Sequence, residues 1–160
     1  MTILGVDPGT ATTGYGVVKN SRGNLLECIS YNCITTPKEK TPGERLAILE
    51  EELIQVLNDY KPDAAVVERL YFFKNLKSVM PVSEARGVIL LAIAKKKIPV
   101  FELTPLQAKM AITGYGRADK KQMQRMVQQA LKLPQIPKPD DAADALGLAI
   151  AGVFLFKKRK

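Results

Sequence analysis

The order of the apolar segments most constrains the fold of this chain. Three strand-like segments come first, at residues 2–7, 13–19 and 25–34. Only short turns separate them, which is typical of an antiparallel meander. Two more short strands, residues 64–67 ending on Glu68 and residues 98–103, then alternate with helical patterns. The combination predicts an α/β fold in which helices flank a mixed five-stranded sheet.

Two capping boxes indicate where helices begin. Thr41 with Glu44, and Thr104 with Gln107, have the spacing at which the two side chains cap each other's backbone N–H groups. The first helix carries a leucine stripe at residues 46, 49, 53 and 57. We expect the remaining helices at residues 83–96, from Thr104 to about 114, at 119–131 and at 140–156.

Charge favours an acidic partner. The 160 residues contain 24 Lys and Arg against 16 Asp and Glu, a net charge of +8. Nucleic acid is the default partner for such a chain, with a merely solubilising basic surface as the alternative. No repeat or linker is visible, so we expect one domain over residues 1–156 and a basic tail at 157–160.

Several classes of protein are disfavoured. The start of the chain lacks the pattern of a signal peptide, and the longest apolar run, residues 145–156, is too short to cross a bilayer. Cys28 and Cys33 would point to opposite faces of one strand, which disfavours a disulfide. We therefore expect a cytoplasmic protein without a membrane partner.

The chain has no histidine. This excludes Ser-His-Asp and Cys-His catalysis, imidazole acid–base chemistry and the usual zinc sites. Any hydrolytic chemistry would depend on carboxylates, lysines and an oxygen-liganded metal.

Four acids have positions from which they could converge. Asp7 and Glu68 each close an apolar strand, and Asp141 and Asp144 share one face at the start of the last helix. If the two strands are parallel neighbours, their carboxyl ends meet at one edge of the sheet. Converging carboxylates require a hard cation such as Mg²⁺ or Mn²⁺. The alternatives are helix capping or solvent exposure for the two aspartates, and a turn acid for Asp7.

Four motifs resemble the RuvC family of bacterial Holliday junction resolvases over nearly the whole chain. They are "LGVDPGTATTGYGVV", "VVERLYFFKN", "EARGV" and "DDAADALGLAI". The resemblance implies a ribonuclease H-like fold, a homodimer and Mg²⁺-dependent cleavage of four-way DNA junctions in recombination and repair. The family's catalytic acids fall on Asp7, Glu68, Asp141 and Asp144. Some members carry histidine at the third position, and Asp140 lies outside the set.

The same resemblance implies a mechanism. Two Mg²⁺ ions, replaceable by Mn²⁺, would activate water and stabilise the leaving 3′ oxygen, so that products carry 5′ phosphates. Lys109 and Lys120 match family positions linked to DNA binding and catalysis, and Lys120 could offset phosphate charge. Arg117 and Lys121 are further candidates for DNA contacts, with a solvated helix face as the alternative for Lys121.

Tyr71 aligns with a family aromatic that stacks on an unpaired base at the crossover. For its aromatic neighbours at 72 and 73, a core or dimer-interface position is the alternative. Small residues in the 83–94 helix would permit packing across a two-fold axis, or equally onto the chain's own sheet. The family also suggests partnership with the RuvA–RuvB branch-migration machine.

Three other functions compete with this interpretation. "DPGTATTG" resembles the first phosphate loop of sugar kinases and actin-like ATPases, but those proteins need a second, similar half. YqgF-like RNA-processing nucleases share the "DPG" pattern, without "DAADALGLA" as their signature. A junction-binding protein with a decayed site is the non-enzyme alternative, and the presence of all four acids argues against it.

Overall fold

A computed structural model describes residues 1–21, 25–69 and 76–157. In these residues the strands are β1 (Thr2–Asp7), β2 (Thr12–Asn20), β3 (Leu26–Thr35), β4 (Ala64–Glu68) and β5 (Val100–Leu103). The helices are α1 (Pro42–Tyr60), α2 (Leu76–Lys95), α3 (Pro105–Thr113), α4 (Lys120–Ala130) and α5 (Asp140–Lys157). The predicted order of elements is confirmed.

The strands form one mixed sheet in the order β3-β2-β1-β4-β5. β1, β2 and β3 pair antiparallel, as the meander predicts. β4 lies parallel to β1, with Val6 opposite Val67, and β5 lies parallel to β4. The carboxyl ends of β1 and β4 therefore lie side by side, which brings Asp7 next to Glu68.

Local capping explains where the helices begin. The Thr41 side chain accepts a hydrogen bond from the Glu44 N–H, and the Glu44 carboxylate accepts one from the Thr41 N–H. Thr104 and Gln107 form the same reciprocal pair at α3. Each pair satisfies two N–H groups that have no partner within the helix. Both predicted capping boxes are confirmed.

Two predicted boundaries were wrong. α2 begins at Leu76 rather than at residue 83, although Pro81 lies inside it. Proline cannot donate the bond to the preceding turn, so the sequence there indicates a helix start rather than a helix interior. β5 begins at Val100 rather than at residue 98, because the Ile98 N–H bonds back to the Ile93 carbonyl and belongs to the turn that ends α2.

Helices cover both faces of the sheet. Ala64 and Val66 of β4 pack into the cluster that contains α5 side chains, while Ala65 and Val67 pack into the cluster with α1 and α2. This alternation is why β4 is a continuous apolar run, typical of a parallel strand buried on both sides. Because β1 and β4 are apolar along most of their length, their acidic side chains, Asp7 and Glu68, lie at the strand ends.

The small residues of α2 divide between two environments. Ala85 and Ala92 are buried against the chain's own core. Gly87 lies on the outer side, with open space where a Cβ would stand. Cys28 and Cys33 are free thiols, but they lie on the same face of β3, because a register shift in its pairing with β2 at Val17 and Val18 interrupts the alternation. In the described part of the chain, no helix is long and apolar enough to cross a membrane.

Candidate active site

The site begins with two adjacent strand ends. Asp7 ends β1 and Glu68 ends the neighbouring parallel strand β4. Both side chains are partly buried, and their carboxyl groups share a hydrogen bond. Because the registers of β1 and β4 are fixed by backbone pairing, this contact depends on the sheet and not on a flexible loop.

α5 adds two further carboxylates. Asp141 and Asp144 lie three residues apart in its first turns and therefore on one face. One carboxylate oxygen from each of Asp7, Asp141 and Asp144 lies within 4.8 Å of the other two. With Glu68 bonded to Asp7, the four predicted acids converge on one site. Asp141 and Asp144 are both partly buried.

Glycines allow α5 to lie directly on the sheet. A Cβ on Gly14 would collide with the Asp141 carbonyl, and one on Gly5 would collide with the Ala145 carbonyl. Gly14 pairs with Asp7 across β1 and β2. The absent side chain of Gly14 therefore lets the first turn of α5 approach the strand end that carries Asp7.

Burial and mutual repulsion raise the pKa values of three acids. Burial raises the pKa of Asp7 to about 8, with further contributions from the charges of Glu68, Asp144 and Asp141 and from the hydrogen bond to Glu68. Burial and the charge of Asp144 raise the pKa of Glu68. Burial also raises the pKa of Asp144, against the opposing charge of Lys120. The raised pKa values indicate that nearby cationic side chains do not fully compensate the charges of these carboxylates.

Lys120 is the cation beside the acids. Its Nζ lies 3.1 Å from an Asp140 oxygen and 3.6 Å from an Asp144 oxygen. Burial lowers the pKa of Lys120, but the bond to Asp140 and the charges of Asp144, Asp140 and Asp141 raise it more. Asp140 is exposed and also accepts a bond from the Gln124 amide. Asp140 therefore holds Lys120 in place and does not belong to the acidic cluster.

A groove of about 200 Å³ opens over the acids. Its polar lining consists of Glu68, Asp144, Lys109 and Lys120, and its apolar lining includes Pro105 from the start of α3. The charge of Lys109 acts on Glu68 by lowering its pKa, against the larger effect of burial. Two cations and two of the four acids, Glu68 and Asp144, thus line one groove.

The other predicted DNA contacts stand apart from this groove. Arg117, in the turn before α4, and Lys121, on α4, are exposed. They could contact a ligand larger than the groove. Tyr71 lies outside the described residues.

The donor set fits a hard cation. Asp7, Asp141 and Asp144 offer carboxylate oxygens close enough to share one ion, and Glu68 adjoins them. All-oxygen ligands select Mg²⁺ or Mn²⁺ over softer metals. Burial and mutual repulsion raise the pKa values of Asp7, Glu68 and Asp144, so a bound cation would be needed to keep these acids ionised near neutral pH.

Sequence reasoning missed the residues that bring α5 to the acids. The signal was present in "TGYGVV", where Gly14 and Gly16 are two apart and so face the same side of β2. Two glycines on one face of a strand indicate a close backbone neighbour. Asp140 was also missed as the partner of Lys120, since nothing in sequence spacing joins α4 to α5.

Comparisons with known proteins match the chain to one family. The family model described as crossover junction endodeoxyribonuclease RuvC matches residues 3–152. The curated RuvC of Thermosipho melanesiensis is 50% identical over 149 residues, 93% of this chain and 94% of that protein. The RuvC of Ruminiclostridium cellulolyticum is 51% identical over 150 residues, 94% of this chain and 90% of that protein.

Solved structures extend the comparison to the fold. Thermus thermophilus RuvC superposes with a TM-score of 0.91 at 28% identity, covering 99% of this chain and 97% of that one. The same protein in complex with a Holliday junction substrate gives 0.93 at 29% identity, covering 99% and 96%. The predicted ribonuclease H-like fold is confirmed. This chain belongs to the RuvC family of crossover junction endodeoxyribonucleases.

Proposed function

We propose that this protein is a Mg²⁺-dependent endonuclease that resolves four-way DNA junctions in recombination and repair. It hydrolyses one phosphodiester in each of two symmetric strands and leaves 5′ phosphates. The observation that carries this proposal is the convergence of Asp7, Glu68, Asp141 and Asp144 in a chain of net charge +8. Relatives named as crossover junction endodeoxyribonucleases support the choice of substrate.

The four carboxylates hold the metal, two Mg²⁺ ions per site with Mn²⁺ as a substitute. When bound, the ions supply Lewis-acid activation of the attacking water and charge neutralisation at the leaving oxygen. The chain itself fixes where its ligands stand. Asp7 and Glu68 are positioned by paired strands, and Asp141 and Asp144 by a helix packed against those strands. Rigid elements hold such groups more accurately than loops do.

Lys120 is the proposed catalytic cation. Its Nζ lies beside Asp144 and faces the groove, where an electronegative phosphate oxygen would approach. An ammonium at that position offsets the negative charge that develops during displacement at phosphorus. Asp140 keeps the Lys120 side chain at this edge of the acidic cluster.

The remaining cations hold the DNA backbone. Lys109 lines the groove, and Arg117 and Lys121 extend the positive surface along α4. Contacts of this kind neutralise phosphates and make binding dependent on salt. The proposal keeps Tyr71 as the residue that stacks on an unpaired base of the opened crossover.

The protein acts as a homodimer in this proposal. Two symmetric cuts require two sites at a fixed separation, which a two-fold dimer provides. The outer face of α2 supports this assignment, because Met80 and Leu91 are 66% and 53% exposed and flank Gly87. A second copy of α2 packed against this face would bury both side chains and use the space at Gly87.

We propose that this activity belongs to a single domain in the cytoplasm. Residues 1–156 form one nuclease domain, and residues 157–160 add a basic tail. The protein works in the cytoplasm, where the RuvA–RuvB branch-migration complex would deliver the junction. Free Cys28 and Cys33 are consistent with a reducing compartment.

A direct assay tests the activity. A labelled mobile four-way junction and a linear duplex of the same sequence are incubated with the protein and either Mg²⁺ or EDTA. We expect paired nicks on the junction only, and only with metal. Tight junction binding without cleavage would favour a non-catalytic junction-binding protein, and indifference to both DNAs would contradict the proposal.

A further inference from the structure

Three polar groups close a ring beneath the loop that follows Asp7. Arg45 on α1 donates from Nε to the Thr36 hydroxyl at 2.9 Å and from Nη2 to the Thr10 carbonyl at 2.7 Å. The Thr36 hydroxyl donates to the same carbonyl at 2.9 Å. Arg45, Thr36 and Thr10 are called the loop clamp below. It joins α1, the segment after β3 and the 8–11 loop.

The head group of Arg45 forms its hydrogen bonds with Thr36 and with the 8–11 loop. In the described ranges, no carboxylate forms an ion pair with Arg45, so its partly buried guanidinium is committed to a hydroxyl and a carbonyl. A cavity of about 160 Å³ lies beside it, lined by Thr10, Thr36 and Arg45.

The 8–11 loop has further anchors of the same kind. Thr13 donates from its hydroxyl to the Gly9 carbonyl at 3.0 Å, and the Thr36 N–H donates to the Ala11 carbonyl at 3.0 Å. Three successive carbonyls of the loop are thus bonded. In the part of the chain that the structure describes, the buried polar side chains are Thr13 and Thr36, at 1% and 7% exposed. Both hydroxyls donate to carbonyl groups of the 8–11 loop.

The loop is short and begins at a metal-binding residue. It joins Asp7, the last residue of β1, to Thr12, the first of β2. A Cβ on Gly9 would collide with the Thr12 carbonyl, so the backbone is tightly folded at this turn. A shift of the Thr10 carbonyl would therefore act on a backbone segment only three residues from Asp7. Groups outside the metal ligands can tune metal affinity by fixing how the ligands are held.

We propose that Arg45 is a positioning residue for the metal site, acting through Thr36 and Thr10 on the backbone that follows Asp7 at the end of β1. This rests on the proposed function, since it assumes that Asp7 binds the catalytic ion. Arg45 touches neither the acids nor the groove, so its effect is on the affinity for metal and not on DNA binding.

Metal binding without DNA tests the role separately from catalysis. Mn²⁺ is titrated into the full-length protein, and free Mn²⁺ is followed by electron paramagnetic resonance. We expect Arg45→Ala and Thr36→Val each to weaken Mn²⁺ binding about tenfold. The double variant should be little weaker than either single one, because both remove the same ring. Arg45→Lys should fall between, and Thr36→Ser, which keeps the hydroxyl, should match the wild type.

A matched variant separates positioning from general loss of stability. Val56→Ala removes buried contacts at the far end of α1 and should lower thermal stability at least as much as Arg45→Ala. Its Mn²⁺ affinity should stay at the wild-type value. The Arg45→Ala protein should bind four-way junctions normally in EDTA and need about tenfold more Mg²⁺ for half-maximal cleavage.

Three results would overturn the inference. Unchanged Mn²⁺ affinity in both Arg45→Ala and Thr36→Val would remove the clamp's role while leaving the proposed function intact. An equal loss in Val56→Ala would show that stability alone is responsible. A wild-type protein that neither binds Mn²⁺ nor cuts junctions would overturn the proposed function, and the role of the clamp with it.

Discussion

The carboxyl group of Asp7 is hydrogen-bonded to that of Glu68 across two adjacent parallel strands. In a metal-free protein this bond requires one proton shared by the pair, and burial together with the neighbouring charges raises the pKa of Asp7 to about 8. The same two oxygen-bearing groups are proposed metal ligands. Protons and metal ions therefore compete for Asp7, and the stability of the metal-free protein should depend on pH.

Metal-free protein should lose stability as pH rises. Folding raises the pKa of Asp7 from 3.8 to about 8, so the folded state binds the additional proton between these values. The contribution of Asp7 to the free energy of unfolding is fully present below about pH 4 and declines as pH approaches 8. In EDTA, Asp7→Asn should be as stable as the wild type near pH 4 and more stable at pH 9. A tenfold difference in proton affinity between the folded and unfolded states corresponds to about 1.4 kcal/mol, so the stability difference should reach a few kcal/mol.

Thermal unfolding between pH 4 and 9 measures this effect. Asp59→Asn is the control, because it makes the same substitution at an exposed carboxylate at the end of α1. Adding Mg²⁺ at pH 8 should stabilise the wild type more than Asp7→Asn. A wild type that gained stability from pH 5 to pH 8 relative to Asp7→Asn would contradict the assignment.

Gly14→Ala should disable the site while the chain still folds. The new methyl group would collide with the backbone at Asp141 and Ala142, which moves the first turn of α5 away from Asp7. We expect roughly 1–3 kcal/mol of destabilisation and about a hundredfold slower junction cleavage. Gly43→Ala is the control, because nothing lies within 4 Å of a Cβ there. Full activity in Gly14→Ala would mean that close packing of α5 is unnecessary.

Lys120 and its neighbour Lys121 should behave differently. Lys120→Gln removes the charge beside Asp144 and should slow single-turnover cleavage at saturating protein about a hundredfold. Lys121→Gln removes an exposed charge and should instead weaken junction binding and reduce its salt slope by about 1. Rates and binding isotherms at several salt concentrations distinguish the two. Equivalent effects of both substitutions would argue against a catalytic role for Lys120.

Leu91→Glu should separate the dimer. The Glu carboxylate on the exposed apolar face of α2 would be buried against the same face of the second subunit. Burying this charge would cost more free energy than the contact contributes. Sedimentation should show a monomer, and paired junction cuts should be lost. Leu25→Glu is the matched control, because Leu25 is 51% exposed and lies just before β3, away from α2 in the sequence. A dimeric Leu91→Glu protein would place the interface elsewhere.

Much of the fold was predictable because its signals are local. Thr41 and Thr104 begin helices through bonds to residues three positions later, and β4 is apolar because helices cover both of its faces. The convergence of Asp7 with Glu68 required only that two strands be parallel neighbours. The start of α2 was not predictable in this way, because Pro81 lies inside a helix that tertiary packing maintains.

The finer parts of the site depend on contacts between distant segments. Arg45 meets Thr10 across 35 positions, and Asp140 meets Lys120 across 20. No periodicity or motif spacing encodes such pairs, which arise from how α1 and α4 pack. The spacing of Gly14 and Gly16 on one strand gave a partial signal. The helix that these glycines accommodate is visible only in three dimensions.

The central claim is that Asp7 belongs to a metal site that cuts DNA junctions. Its most direct test compares wild type with Asp7→Asn on one labelled four-way junction, measuring binding in EDTA and cleavage in Mg²⁺ in parallel. We predict equal binding, paired symmetric cuts by the wild type and cleavage reduced at least about a thousandfold in Asp7→Asn. Normal cleavage by Asp7→Asn would contradict the claim.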